Sequence, residues 1–492
     1  MNLNRMHWRT FSFFAVVVAL LLVSSRAAFA QTPETTKPET TKPETTEVEQ
    51  LKKRLQQLEQ TVVELKGQID AIEVKKKSAT PAVVQATYSE APVSVPVAAP
   101  EDPAAAAPAS AKSQDAKGES TFEVYGFAML DFGYQFKQND PNWFDVIRPT
   151  KLPSFSNEFA PNGKVFSGVR QSRLGVKSST PTKYGELKTQ FEFELFGTGV
   201  DAGQTTFRLR HAYGELGQFG AGQTWSPFMD IDVFPNSLEY WGPNGMVFFR
   251  NVQFRWMPLK GRNSVTIALE RPGASGDQGR FEDRIELSGI RGKFDLPDLS
   301  GNVRFTRDWG YFQAAGMLRR IKWIDTVNDA FDLGGSEVGA GVNLTSNLKF
   351  GEKDTGRFAF VFGQGIENYM NDADVDVGIE LTPGGDPRRP IKGVALPMWS
   401  MVAFLDHNWN KKFSSAIGYS FMDVDNSNGQ APDAYHRGHY ALGNLLYYPV
   451  ERVMVGGELQ WGRRENFLDG FKSDDFRVQF SFRYNFSKLF TF

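Results

Sequence analysis

The chain has 492 residues, with 55 Lys and Arg against 57 Asp and Glu, and no cysteine. This near-neutral balance lacks the basic excess of a nucleic-acid-binding protein, and the absence of thiols excludes disulfides and thiolate catalysis. A negative mean hydropathy excludes a bundle of membrane helices but not a barrel, whose strands turn every second residue to a polar interior.

Arg5, His7 and Arg9 precede an apolar run from Phe11 to Val23, and Ala28-Phe29-Ala30 has the small-x-small form of a cleavage site. Residues 1–30 read as a signal peptide, because the apolar run is too short to cross a bilayer as a helix. Residues 31–46 repeat Pro-Glu-Thr-Thr, with proline every fifth position and few apolar side chains, which describes a solvated spacer. Over 47–75 the pattern changes. Val48, Leu51, Leu55, Leu58, Val62, Leu65, Ile69 and Ile72 are spaced alternately three and four apart, a heptad repeat with apolar a and d positions.

That stripe is narrower than the apolar face of a helix lying on its own protein. In a parallel coiled coil, Glu47 meets Lys52 of a neighbour and Arg54 meets Glu59, so self-association is expected. The heptads leave the stoichiometry open, since β-branched a with leucine d favours two strands while Ile69 and Ile72 lean toward three. So short a coil needs an assembly that already concentrates the chains. Residues 76–120, rich in Ala, Pro and Val, form an extended linker.

The remaining segment, 121–492, is dominated by period two. From 475 to 486, Phe476, Val478, Phe480, Phe482, Tyr484 and Phe486 alternate with Arg477, Gln479, Ser481, Arg483 and Asn485. Strands send successive side chains to opposite faces, so this one belongs between oil and water. Leu187, Thr189, Phe191, Phe193 and Leu195 repeat the device, backed by Glu186, Lys188, Gln190, Glu192 and Glu194. A soluble core would strand those charges.

Sixteen such segments are expected, with 284–307 holding one irregular strand or two. Long connections at 137–164, 226–245, 272–298, 367–398, 424–436 and 464–474 alternate with tight ones, as extracellular loops and periplasmic turns do in bacterial barrels. The fold expected is all-β, a 16-stranded antiparallel transmembrane barrel with an N-terminal periplasmic coiled-coil helix. A barrel of that size encloses water, and twenty-two strands would leave too few residues for each. The membrane-embedded part is expected to end at Phe486, the rest continuing at the periplasmic rim.

By parity Phe207, Leu209 and Tyr213 face lipid, which turns Arg208 and Arg210 inward. Arg173 and Lys177 point inward beside Gln171 and Gly175, and Arg255 beside Gln253 and Asn251. A wall of guanidiniums suits carboxylates in two-point contact and favours anions. The same arginines also suit a structural role, satisfying Glu192 and Glu194.

Gln171-Ser172-Arg173-Leu174-Gly175-Val176-Lys177, the run Leu209 to Leu216 and Gly222-Gln223-Thr224-Trp225-Ser226-Pro227 resemble the early strands of Gram-negative trimeric porins. Together with the coiled coil, the linker and the Asp308-Trp309-Gly310 turn, the chain after residue 47 resembles the DcaP-like outer-membrane porins. The resemblance implies a homotrimer of sixteen-stranded barrels with a periplasmic coiled coil, passing small anionic metabolites such as dicarboxylates. It also makes 226–245 the place for a loop folded into the channel, the alternative being an ordinary external loop. That segment carries Asp230, Asp232 and Glu239 among Phe228, Phe234, Tyr240 and Trp241. Folded inward, its acids would oppose the arginine wall in a transverse field.

Enzyme-like signals are weak. His436 and His439 fall on opposite faces of a strand and make a poor metal pair. Asp372, Asp374 and Asp376 begin like a calcium loop, but Val377 and Pro383 replace its Gly and Glu, so they read as solvated loop charge. No metal and no cofactor are expected, and the chain is read as no enzyme. The expected partners are outer-membrane lipid, further copies of the chain, small anionic solutes and the cell wall, with no nucleic acid. Beside the channel stand two other readings, an outer-membrane structural tether built on the coiled coil and a barrel-embedded hydrolase.

Overall fold

The structure, a computed structural model, describes residues 118–492; the signal, spacer and coiled-coil expectations, and the linker through residue 117, lie outside them. The strands are β1 (Thr121–Gln135), β2 (Lys164–Gly168), β3 (Arg173–Thr182), β4 (Gly185–Phe196), β5 (Thr205–Leu216), β6 (Phe219–Trp225) and β7 (Arg250–Leu259). They continue with β8 (Asn263–Glu270), β9 (Ile290–Gly292), β10 (Asp298–Arg307), β11 (Gly310–Asp325), β12 (Gly335–Phe350) and β13 (Asp354–Gln364). After β14 (Val377–Leu381) and β15 (Ile391–Ala395) come β16 (Pro397–Asn410), β17 (Phe413–Val424), β18 (Tyr435–Tyr447), β19 (Val453–Asn466) and β20 (Lys472–Thr491).

Eighteen of these form one antiparallel sheet, closed by β1 against β20 from Thr121↔Thr491 to Gln135↔Arg477. They make sixteen passes. β2 and β3 are one pass, both paired to β1, and β9 and β10 are another, both paired to β11. The segment 284–307 therefore contributes one pass, which begins at Ile290 and is broken ahead of Asp298, where Pro297 has no N–H for the ladder. The break after β2 has its own repair: the Ser172 hydroxyl accepts from the Met129 N–H at 3.0 Å and donates to its carbonyl at 3.3 Å. Closure also extends the last strand. Beyond Phe486 β20 stays in register with β1 to Thr491, with Lys488 opposite Val124.

The outer surface follows the alternation read from sequence. In β20, Phe480, Phe482 and Tyr484 are half exposed while Arg477, Gln479 and Ser481 between them are buried. The inner surface is not uniform. Ala315 and Met317 of β11, Val361 of β13, Met398 and Val402 of β16, and Met422 of β17 point inward into a hydrophobic cluster that fills part of the lumen. The long connection after β13 adds a feature that the sequence did not predict, the β14–β15 hairpin.

Candidate channel constriction

What fills the lumen is chiefly the connection after β6. Phe228, Met229, Val233, Met246 and Val247 belong to the internal cluster, and the backbone is pinned to inward side chains around the barrel. The Asn343 side chain donates to the Phe228 carbonyl at 2.8 Å, and Asn347 to that of Asp232 at 2.6 Å. Across the lumen Glu458 of β19 accepts the N–H groups of Leu238 at 2.7 Å and Glu239 at 3.0 Å.

The fit is closest at Gly245. Its N–H donates to the Ser420 hydroxyl at 2.8 Å, and its carbonyl accepts from Ser400 at 2.7 Å. A Cβ there would stand 2.5 Å from the Phe421 carbonyl oxygen and 2.9 Å from that of Met401. The loop therefore lies flush on β16 and β17. Most of the polar groups it brings inside find partners there, as burial demands.

Opposite the loop stands the charged wall. Arg210 binds Glu192 through Nε and Glu194 through Nη1, each at 2.5 Å. Arg173 approaches the same two carboxylates at 3.5 Å, and Arg208 and Arg250 approach Glu194 at 3.5 and 3.6 Å. Four guanidiniums thus surround two carboxylates. The Tyr240 hydroxyl donates to Glu194, and its ring stacks on Phe196 with centroids 4.0 Å apart. Trp241 donates to the Asn371 carbonyl at 2.7 Å and meets Trp143 edge-on.

Not all of the expected wall converges. Lys177 sits toward the periplasmic end, half exposed and paired to Glu123 at 3.0 Å. Arg255 is held by Gln253 and the Trp225 carbonyl, over the Tyr213 ring. Tyr213 is not lipid-facing as parity predicts. The β4–β5 register passes from Glu192↔His211 to Phe193↔Leu209, so Arg210 is a bulged extra residue that flips the rest of the strand. His211 and Tyr213 consequently join the inner face.

The loop acids also differ from expectation. Asp230 accepts from Tyr311 at 2.7 Å, Thr345 at 2.6 Å and Arg304 at 3.2 Å, and Asp232 pairs with Arg304 at 2.5 Å. Glu239 is buried, accepting from the Gly242 N–H at 2.5 Å, the Tyr440 hydroxyl at 3.1 Å and the Ile147 N–H at 3.2 Å. Burial pushes its carboxyl up to about 7. These acids tether the loop, and the expected transverse field from opposed acids is not built from them. The space between loop and wall is bounded by Arg173, Glu192, Arg210, His211 and Arg483 on one side, and by Ile231, Phe234, Asn236, Ser237 and Phe248 on the other.

Glu458, Arg250 and Arg304 join the site without a sequence expectation, while Arg483, expected on the water-facing side of the last strand, lines the space itself. Arg483 and Glu458 do carry a signal, standing on the polar face of clearly alternating strands. Arg250 opens its strand with the parity of the lipid-facing Val252, and only the fold turns it to Glu194. Asp372 and Asp376 are not solvated loop charge: both are buried, Asp372 holding Arg148 at 2.8 Å and Asp376 holding Arg319 at 3.2 Å. His436 and His439 bond separately, to the Val424 carbonyl and the Tyr419 hydroxyl.

A closed sixteen-stranded barrel with a lipid-facing exterior, narrowed by an inserted loop opposite a charged wall, defines an outer-membrane porin channel. Residues 120–486 match the DcaP outer membrane protein family, and the chain belongs to it. The outer membrane channel DcaP of Acinetobacter baumannii shares its fold, with a TM-score of 0.60 and 19% identity over 75% of this chain and 97% of that one. An anion-selective porin from Comamonas acidovorans aligns with a TM-score of 0.48 and 12% identity, over 75% of this chain and 100% of that one. In-vitro folded OmpT of Vibrio cholerae gives 0.46 and 14%, over 75% and 98%. No curated protein matches the sequence.

Proposed function

We propose that this porin is an anion-preferring channel for passive diffusion of small solutes such as dicarboxylates, and that the chain acts without catalysis. The observation that carries the preference is the excess of cations at the constriction. Arg173, Arg208, Arg210 and Arg250 surround Glu192 and Glu194, leaving net positive charge where a solute must pass. Water-excluding walls strengthen that charge, and guanidiniums offer a carboxylate two parallel hydrogen bonds. Arg173 and Arg210 line the space itself, with Arg483 added from β20.

The heptads over 47–75 support parallel self-association, which the resemblance to the DcaP-like porins makes a homotrimer, with the coil in the periplasm. Purified full-length protein in a planar bilayer, held in a salt gradient, should show a reversal potential of the sign given by anion flow. A cation-selective channel overturns the proposal.

A further inference from the structure

The outer face of the barrel carries a charge pattern that the channel does not use. β11 turns Leu318, Arg320 and Lys322 outward, because Arg319 and Ile321 between them are buried on the inner face. Beside it β9 places Arg291 opposite Ile324 and Gly292 opposite Trp323. The ladder then runs one residue further, the Lys293 N–H donating to the Lys322 carbonyl at 2.8 Å. Lys293 therefore stands directly across from Lys322 on the outer face, flanked by Arg291 and Arg320.

Like charges opposite each other destabilise a strand pair. Asp295 answers only part of this, reaching Lys322 at 2.9 Å and Arg320 at 3.7 Å; the Arg291 guanidinium bonds to the Ser288 and Ile290 carbonyls. The patch has a definite height. It lies at the end of β11 that leads into the longer connection, away from the tight Asp308-Trp309 turn, which places it at the extracellular rim. Immediately toward the membrane middle the same face turns apolar, with Leu318 opposite Leu299, while Val338 stands beside Arg320 at the patch itself, and all three apolar side chains are exposed.

We propose that this patch binds an outer-leaflet lipid whose headgroup carries phosphate monoesters. Its phosphates would sit among Arg291, Lys293, Arg320 and Lys322, and its acyl chains along Leu299, Leu318 and Val338. Charge complementarity selects the headgroup. Continuity with the lipid-facing band selects a membrane lipid over a free anion, since a soluble phosphate has no use for the apolar strip. The site is independent of the channel reading.

The test uses full-length protein in detergent with EDTA present, and measures binding of bisphosphorylated lipid A, its dephosphorylated form and inorganic pyrophosphate. Wild type should bind bisphosphorylated lipid A in preference to both. Replacing Arg291, Lys293, Arg320 and Lys322 together by Gln should lower that affinity roughly a hundredfold and leave single-channel conductance unchanged. Asp295→Asn, which removes the competing carboxylate, should raise it about fivefold, a gain that misfolding does not produce. Equal binding of the dephosphorylated lipid, pyrophosphate binding as tightly as lipid A, or unchanged affinity in both variants would overturn the assignment.

Discussion

The two sides of the lumen are built on opposite principles although their outer faces match. On β3, β4, β5 and β20 many inward positions are charged or polar, and Arg173, Glu192, Arg210, His211 and Arg483 face the remaining open space. On β11 to β18 many inward positions are Ala, Met, Val or Leu, and they are covered by the inserted loop. Lipid imposes one outer surface everywhere. The inner surface follows what lies against it, water on one side and a folded loop on the other. A porin interior is thus part aqueous wall and part protein core, and the loop is the boundary between them.

That contrast rests first on the loop staying against the apolar side. Gly245→Leu drives a side chain into the Phe421 and Met401 carbonyls, so the loop must lift from β16 and β17. Single-channel recordings should show the largest change of any single substitution, a severalfold shift in conductance with frequent flicker. A quiet channel of unchanged conductance would break the claim that the loop sets the passage.

The charged side should respond next. Arg210→Gln leaves Glu192 and Glu194 without their nearest cation, and breaking a buried pair costs about 3 kcal/mol. The anion preference should fall in reversal-potential measurements, and the temperature at which the folded gel band is lost should drop. Lys177→Gln, at the exposed end, should change neither.

A smaller effect is expected on the loop's own lining. Phe234→Ala removes apolar bulk facing the arginines, so conductance should rise modestly with selectivity retained. Loss of selectivity there would mean that the ring, and not the guanidiniums, discriminates.

The smallest effect concerns pH. Because burial raises the Glu239 carboxyl to about 7, the folded loop favours its protonated form. Its contribution is complete below the ordinary carboxylate range and is lost as pH rises through about 7. Channel flicker should therefore increase from about pH 5 to about pH 8, and Glu239→Gln should flatten that trend. A wild-type profile equal to that of the variant removes Glu239 from the tether.

The barrel itself was legible in the sequence because lipid reads every strand by the same period of two. Phe480, Phe482 and Tyr484 against Arg477, Gln479 and Ser481 suffice to orient β20, and the long and short connections order the passes. The covered side left a fainter trace. Phe358 to Phe362 and Met401 to Leu405 are apolar on both faces, the pattern of a strand buried on both sides, and this reads equally well as a weaker period-two signal.

What the sequence by itself determined is the local alternation: strand number, outward face, and the inward direction of Arg173, Arg208, Arg210 and Arg255. The tertiary structure alone decided their chemistry. A one-residue bulge at Arg210 brought His211 and Tyr213 inside, an inserted loop spent Asp230, Asp232 and Glu239 as tethers, and β4 set Glu192 and Glu194 among four arginines. Alternation depends on neighbours along one strand, whereas which charges meet across a lumen depends on residues far apart in the chain, such as Arg148 and Asp372, 224 positions apart.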